Sequence, residues 1–184
     1  TSGTTGLPKG VTFTHRGFRA TAMMEGPTGT DVSSTALVAM PLFHSAGLSF
    51  AVMALGAGAH IVVAREAKPS HLLDLLERWR VTVTMLVPAV LRTVVAEPGL
   101  DRRDLSALRT IVYAASPVSP ELLSRCLDLL DVRMIQNYGL TETQSATVLS
   151  PEDHLDRARP HLLESAGREA PGARVQVRGA DGAL

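Results

Sequence analysis

The residues best suited to chemistry stand at the start of the chain, where TSGTTGLPKG (residues 1–10) gathers glycines, hydroxyls and one lysine. Gly3, Gly6 and Gly10 let backbone amides face anionic oxygens at close range, while Thr1, Ser2, Thr4 and Thr5 add hydroxyl donors. Lys9 adds a mobile positive charge. Such a set suits a polyphosphate. The spacing is not that of a Walker loop, in which a Gly-Lys-Ser/Thr run opens a helix. Here Lys9 precedes Gly10 and VTFTH, and residues 11–14 read as a strand. A flexible Ser/Thr/Gly linker is the plainer reading, and the Leu7-Pro8-Lys9-Gly10 ending before a β-rich run weighs against it.

A second chemical cluster is NYGLTET (residues 137–143), where the Glu142 carboxylate beside the Thr141 hydroxyl offers the hard oxygens that Mg²⁺ prefers. The same letters also fit a helix cap, with Thr141 leading into Thr143 and Gln144. His44, in PLFHSAGL (residues 41–48), follows an apolar strand and precedes GLSFAVMALGAGA, so a helix-capping or core histidine is its simplest role. The histidines at 15, 60, 71, 154 and 161 lack metal-ligand spacing, which argues against zinc. No GxSxG elbow or Ser–His–Asp constellation occurs, which removes hydrolases.

Taken together, these segments closely resemble the adenylate-forming, or AMP-binding, superfamily of acyl-CoA synthetases, luciferase-like enzymes and nonribosomal adenylation domains. TSGTTGLPKG resembles its phosphate-binding signature, PLFHSAGL its acyl-side histidine motif, and YAASPVSPEL (residues 113–122) its adenine-side loop. NYGLTET is similar to its second nucleotide motif, and SAGREAPGARVQV (residues 165–177) to the segment leading to its ribose-binding strand. The resemblance implies a multi-strand α/β sheet flanked by helices, as part of the large N-terminal domain of an adenylate-forming enzyme. It implies adenine contacts from Ala114, Ala115, Ser116, Asn137, Tyr138 and Gly139, with Thr141 on the α-phosphate and Glu142 on Mg²⁺. Lys9 and the hydroxyl loop from Thr1 to Gly6 would hold the phosphates of ATP, and His44 would lie beside the acyl carboxylate. Where the family often has Gly-Gly-Ala, this chain has Ala114-Ala115-Ser116, whose added methyls tighten or shift the base.

The expected activity is that of a fatty-acyl-CoA ligase, which joins a carboxylic acid to AMP with loss of pyrophosphate and passes it to CoA. Small residues at 47, 51, 54 and 56–58 suggest room beside His44 for a medium or long aliphatic chain. Alternatives are an aryl- or amino-acid adenylation domain loading a carrier protein, and a non-catalytic nucleotide-binding fragment. An amine-bearing substrate calls for an acidic residue in its pocket, and none stands out.

The elements that must position these residues follow an alternation of short apolar runs and longer helical patterns, as in a wound α/β domain. Strands are expected at residues 11–14, 36–40, 60–63, 82–86, 110–113 and 133–136. Helices are expected at 70–79 behind a Ser70 cap, at 88–96, and at 120–130 behind Ser119 with Pro120 in the first turn. No Asp, Glu, Lys or Arg lies between Val32 and Ala64, yet Pro41, His44, His60 and several glycines favour a buried α/β core over a membrane span. With 18 basic and 18 acidic residues, nothing draws the chain to nucleic acid or an anionic surface. Its one cysteine, Cys126, sits in a leucine-rich helical pattern, as a buried inert thiol in a reducing cytosol would. At 184 residues, beginning inside a motif, the chain reads as residues 1–184 of a partial AMP-binding domain, with the family's ribose-binding carboxylate and C-terminal lysine-bearing domain lying elsewhere.

Overall fold

The computed structural model describes residues 6–20 and 24–182. Thr1, Ser2, Gly3, Thr4 and Thr5, named above as phosphate-loop residues, lie outside the described residues. Two short helices, α1 (His15–Arg19) and α2 (Glu25–Thr28), lead into β1 (Thr35–Val38), α3 (Ser45–Gly56), β2 (His60–Val63), α4 (Pro69–Arg78) and β3 (Val83–Leu86). Then come α5 (Pro88–Val95), β4 (Thr110–Ala114), α6 (Pro120–Leu129), β5 (Arg133–Tyr138), β6 (Thr147–Leu149), α7 (Pro151–Leu155) and β7 (Arg168–Glu169).

Among the described residues these strands form one sheet in the order β2-β1-β3-β4-β5-β6-β7. The first five are parallel, and β6 and β7 add on antiparallel. Strand alternation divides the core in two. Leu37, Ile111, Tyr113 and Met134 pack on the side of α4, α5 and α6, while Ala36, Val38, Val112 and Ile135 pack on the side of α3. The chain therefore leaves β1 along one face of the sheet through α3 and crosses back to β3 along the other through α4. That reversal opens a crevice at the carboxyl ends of β1 and β3, the place where ligands collect in open α/β sheets.

Five of the six expected strands are present. Residues 11–14 are not a strand: Thr14 instead caps α1, its Oγ1 accepting from Gly17 N–H at 3.0 Å. A hydroxyl that satisfies a helix's first amides competes with any sheet ladder. The helix expected from Ser70 starts one residue earlier, with Pro69 in the first turn and Lys68 at the cap without a side-chain bond. Ser119 does cap α6, accepting from Leu122 N–H at 3.3 Å.

The charge-poor stretch becomes β1, α3 and β2. No helix among the described residues is long and apolar enough to cross a membrane. Three of the small residues expected to leave room beside His44 are instead taken up by the packing of α3. Ala51 and Ala54 are buried against the sheet, and a Cβ on Gly47 would collide with the carbonyl oxygen of Pro41. These residues are small so that α3 can pack closely.

Candidate functional site

At the carboxyl ends of β1, β3, β4 and β5 lies a cleft of about 250 Å³. Its rim includes His44, Ser45, Ala114, Ala115, Asn137, Gly139 and Thr141. Residues from three separate sequence motifs thus meet in one place. A second hollow, just outside it, is lined by Pro8, Phe43, His44, Leu140, Thr141 and Glu142. The end of the glycine-rich loop therefore approaches the Thr141–Glu142 turn.

Local structure explains how each group is held. His44 is the N-cap of α3, its Nδ1 accepting from Ala46 N–H at 3.3 Å while the ring stays exposed at the cleft. The simple capping role and a place at the site are thus compatible. After β5 the chain turns through residues 141–144 and returns as β6, with Gln144 N–H donating to Leu140 O at 2.7 Å. Thr141 does not open a helix. Its hydroxyl lies 3.3 Å from Ser45 Oγ, and Ser49 Oγ donates to Gln144 Oε1. Two links therefore tie the β5–β6 turn to the first turns of α3. Glu142 is exposed at the tip of that turn and forms no ion pair with the described residues.

Backbone conformation marks the same edge. Ala115, directly after β4, has φ +76°, and Gln144 has φ +56°, both in the left-handed region that favours glycine. The alanine noted in place of a family glycine is thus held in a strained conformation. By contrast, a Cβ on Gly6 or Gly10 would meet nothing within 4 Å.

Neighbouring residues of β5 serve opposite sides of the sheet. Asn137 shares the α3 side with Ile135, and Tyr138, half exposed, points the other way. Asn137 Nδ2 donates to Ser145 Oγ at 2.9 Å, whereas its buried Oδ1 has no partner. Beneath the cleft is a recess of about 30 Å³, bordered by Thr28, Ser49, Asn137 and Ser145 and walled by Met24, Phe50, Met53, Met85 and Val112. Ser45, Ser49, Gln144 and Ser145 were not anticipated from sequence. The i,i+4 spacing of the two serines on one helix face was the available signal.

Behind the site, Tyr113 OH and His154 Nε2 are 2.8 Å apart, and His154 Nδ1 lies 2.6 Å from Ser150 O. With Nδ1–H donating to that carbonyl, Nε2 accepts from the tyrosine. Burial raises the Tyr113 pKa far above its usual value and lowers that of His154. The pair fastens β4 to α7. Burial also pushes the Cys126 thiol up to about 11, as expected of an inert cysteine. No group of three or more His, Cys, Asp or Glu among the described residues is arranged to hold a metal ion.

This fold is that of AMP-binding enzymes. The chain belongs to that family, whose pattern matches residues 1–184. It is 39% identical to the fatty acid–[acyl-carrier-protein] ligase ScoC of Streptomyces coeruleorubidus, over 99% of this chain and 36% of that protein. Among solved structures, the amide bond synthetase McbA of Marinactinospora thermotolerans superposes with a TM-score of 0.88 at 33% identity, over 99% of this chain and 36% of McbA. The o-succinylbenzoate CoA synthetase MenE of Bacillus subtilis, solved with ATP and magnesium, has a TM-score of 0.79 at 30% identity, over 92% of this chain and 34% of MenE. The chain thus spans little more than a third of these relatives.

Proposed function

We propose that the chain forms the nucleotide- and acid-binding part of a longer cytoplasmic enzyme that activates a carboxylic acid. A carboxylate oxygen attacks the α-phosphorus of ATP, the bond to the β-phosphate oxygen breaks, and pyrophosphate leaves. A thiol, CoA in our reading, then gives up its proton and attacks the acyl carbon, and AMP departs. A carrier-protein thiol is the second reading, favoured by the likeness to ScoC. The observation that carries the proposal is the meeting of His44, Ala114, Ala115, Gly139 and Thr141 on one cleft, with Pro8 and Glu142 on the adjoining hollow.

In this scheme Ala114, Ala115, Ser116, Tyr138 and Gly139 border the adenine, and Thr141 donates to the α-phosphate. Thr1, Ser2, Gly3, Thr4, Thr5, Gly6 and Lys9 hold the β- and γ-phosphates, and His44 orients the acid. The exposed, unpaired Glu142 carboxylate suits a hard cation, so it is the residue that would hold Mg²⁺. When bound, the ion neutralises triphosphate charge. The protein's own contribution is mainly position and preorganised donors.

A long fatty acid is supported by the likeness to ScoC, while Gly47, Ala51 and Ala54 serve the packing of α3 rather than an acyl channel. An amino acid is disfavoured because no Asp or Glu lines the cleft or recess among the described residues. The test is acid-dependent pyrophosphate exchange into ATP by the full-length enzyme, over fatty, aromatic and amino acids. Exchange with one acid class supports the reading. No exchange with any acid, in a preparation that binds AMP, would leave a nucleotide-binding protein and end it.

A further inference from the structure

Asn137 is the one described residue with a buried side-chain oxygen or nitrogen that lacks a partner, and it lines both the cleft and the recess. Leaving a buried carbonyl oxygen unpaired is costly, and native structures do so where a ligand or water completes the bond. The amide nitrogen is already committed to Ser145. What the site lacks is therefore a hydrogen-bond donor.

Building on the acid-activating reading, we propose that the acid carries a neutral donor, a hydroxyl or an N–H, which Asn137 Oδ1 receives at the mouth of the recess. Strand alternation places the Asn137 side chain beneath α3, on the opposite side of the sheet from the ring of Tyr138. The donor is neutral because the groups around it are Thr28, Ser49, Ser145, methionines, Val112 and Phe50, with no carboxylate to balance an ammonium. Beyond the donor the walls are mainly apolar, the Thr28 hydroxyl there being engaged with Met24 O at 3.0 Å, and the space is about that of one water molecule. The acid ends shortly after its donor, or its apolar end displaces flexible methionines.

A site built to pair a substrate hydroxyl rejects the analogue that lacks it far more strongly than an apolar pocket rejects a missing methylene. The experiment measures kcat/KM for pyrophosphate exchange by the full-length enzyme with matched acids: hydroxyphenylpropanoates against phenylpropanoate, ω-hydroxyalkanoates against alkanoates, and methoxy counterparts of each. The best hydroxy acid should exceed its deoxy and methoxy partners by about tenfold or more. In Asn137→Leu that ratio should fall to within about threefold of unity. Asn137→Ala is read the same way should the leucine variant not fold. A wild-type preference for deoxy or methoxy acids overturns the proposal, as does a hydroxyl preference that survives both variants. Weakened AMP binding in the variants with an unchanged acid preference would assign the oxygen to the adenine amino group and likewise overturn it. Absence of exchange with every acid would instead defeat the underlying activity.

Discussion

The carbonyl oxygen of Gln144 occupies the position that a β-carbon on Gly139 would need. The turn after β5 folds back so tightly that its two ends touch, with Ala146 N–H donating to Tyr138 O at 2.8 Å. Gly139→Ala must therefore push the turn open and move Thr141 and Glu142 with it. We expect at least about tenfold lower AMP affinity in the full-length enzyme, given that misplacement by an ångström is enough for large losses. Isothermal titration with AMP checks this. Gly10→Ala, built into open space, should shift unfolding free energy by no more than about 0.5 kcal/mol.

Ala115 supports a prediction of opposite sign. With φ at +76° its methyl group opposes the backbone conformation the site requires. Ala115→Gly relieves that strain at some cost in unfolded-chain entropy, for a net gain of about 0.5–1 kcal/mol. Chemical denaturation measures it, and a loss of stability would show that the strain is absent.

The buried histidine predicts an acid-sensitive fold. His154 has a lowered pKa because burial disfavours its charged form, so the unfolded chain takes up a proton more readily than the folded one. Its contribution is complete above the ordinary histidine value of about 6.5 and is lost as pH falls toward the lowered one. Urea midpoints should drop from pH 7 to pH 5, and His154→Gln should flatten that slope. An identical slope in the variant would place the effect elsewhere.

Glu142→Gln keeps the side chain's shape and removes its charge. Adenylation by the full-length enzyme should fall by about a hundredfold or more, while thioester formation from presynthesised acyl-AMP suffers less. Single-turnover measurement of each half-reaction separates the two. Equal losses would argue against a role specific to the metal–nucleotide complex.

Lys9→Ala should slow pyrophosphate release more than it weakens AMP binding, because its charge matters most when the departing phosphates gather negative charge. Parallel measurement of AMP affinity and exchange rate tests the difference. Unchanged exchange would reduce the opening loop to a connector.

The central parallel strands were legible in sequence because each is a short apolar run bounded by turns and buried on both faces. Strands β6 and β7 were not. At three and two residues they carry no period of their own, and their strand character comes from pairing back onto β5 and β6. Helix α3 showed only through the capping role offered for His44, because apart from Ser45 and Ser49 it is apolar and offers no clear amphipathic stripe. The site showed the same division. His44, Thr141 and Glu142 stand in distinctive motifs, whereas Ser45, Ser49 and Ser145 are ordinary residues whose importance arises only when α3 meets the β5–β6 turn. That the Asn137 side chain lies beneath α3, opposite Tyr138, needed the register of β5, which its letters do not reveal.

The buried thiol of Cys126 has a practical consequence. With its pKa raised to about 11 and its sulfur enclosed on the inner face of α6, it presents almost no thiolate to an electrophile near neutral pH. A cysteine introduced at the exposed tip of the β5–β6 turn, for example at Thr143, would therefore be the one fast-reacting position among the described residues. A maleimide fluorophore placed there would report, by changes in its emission, whether the turn moves against α3 when AMP is added.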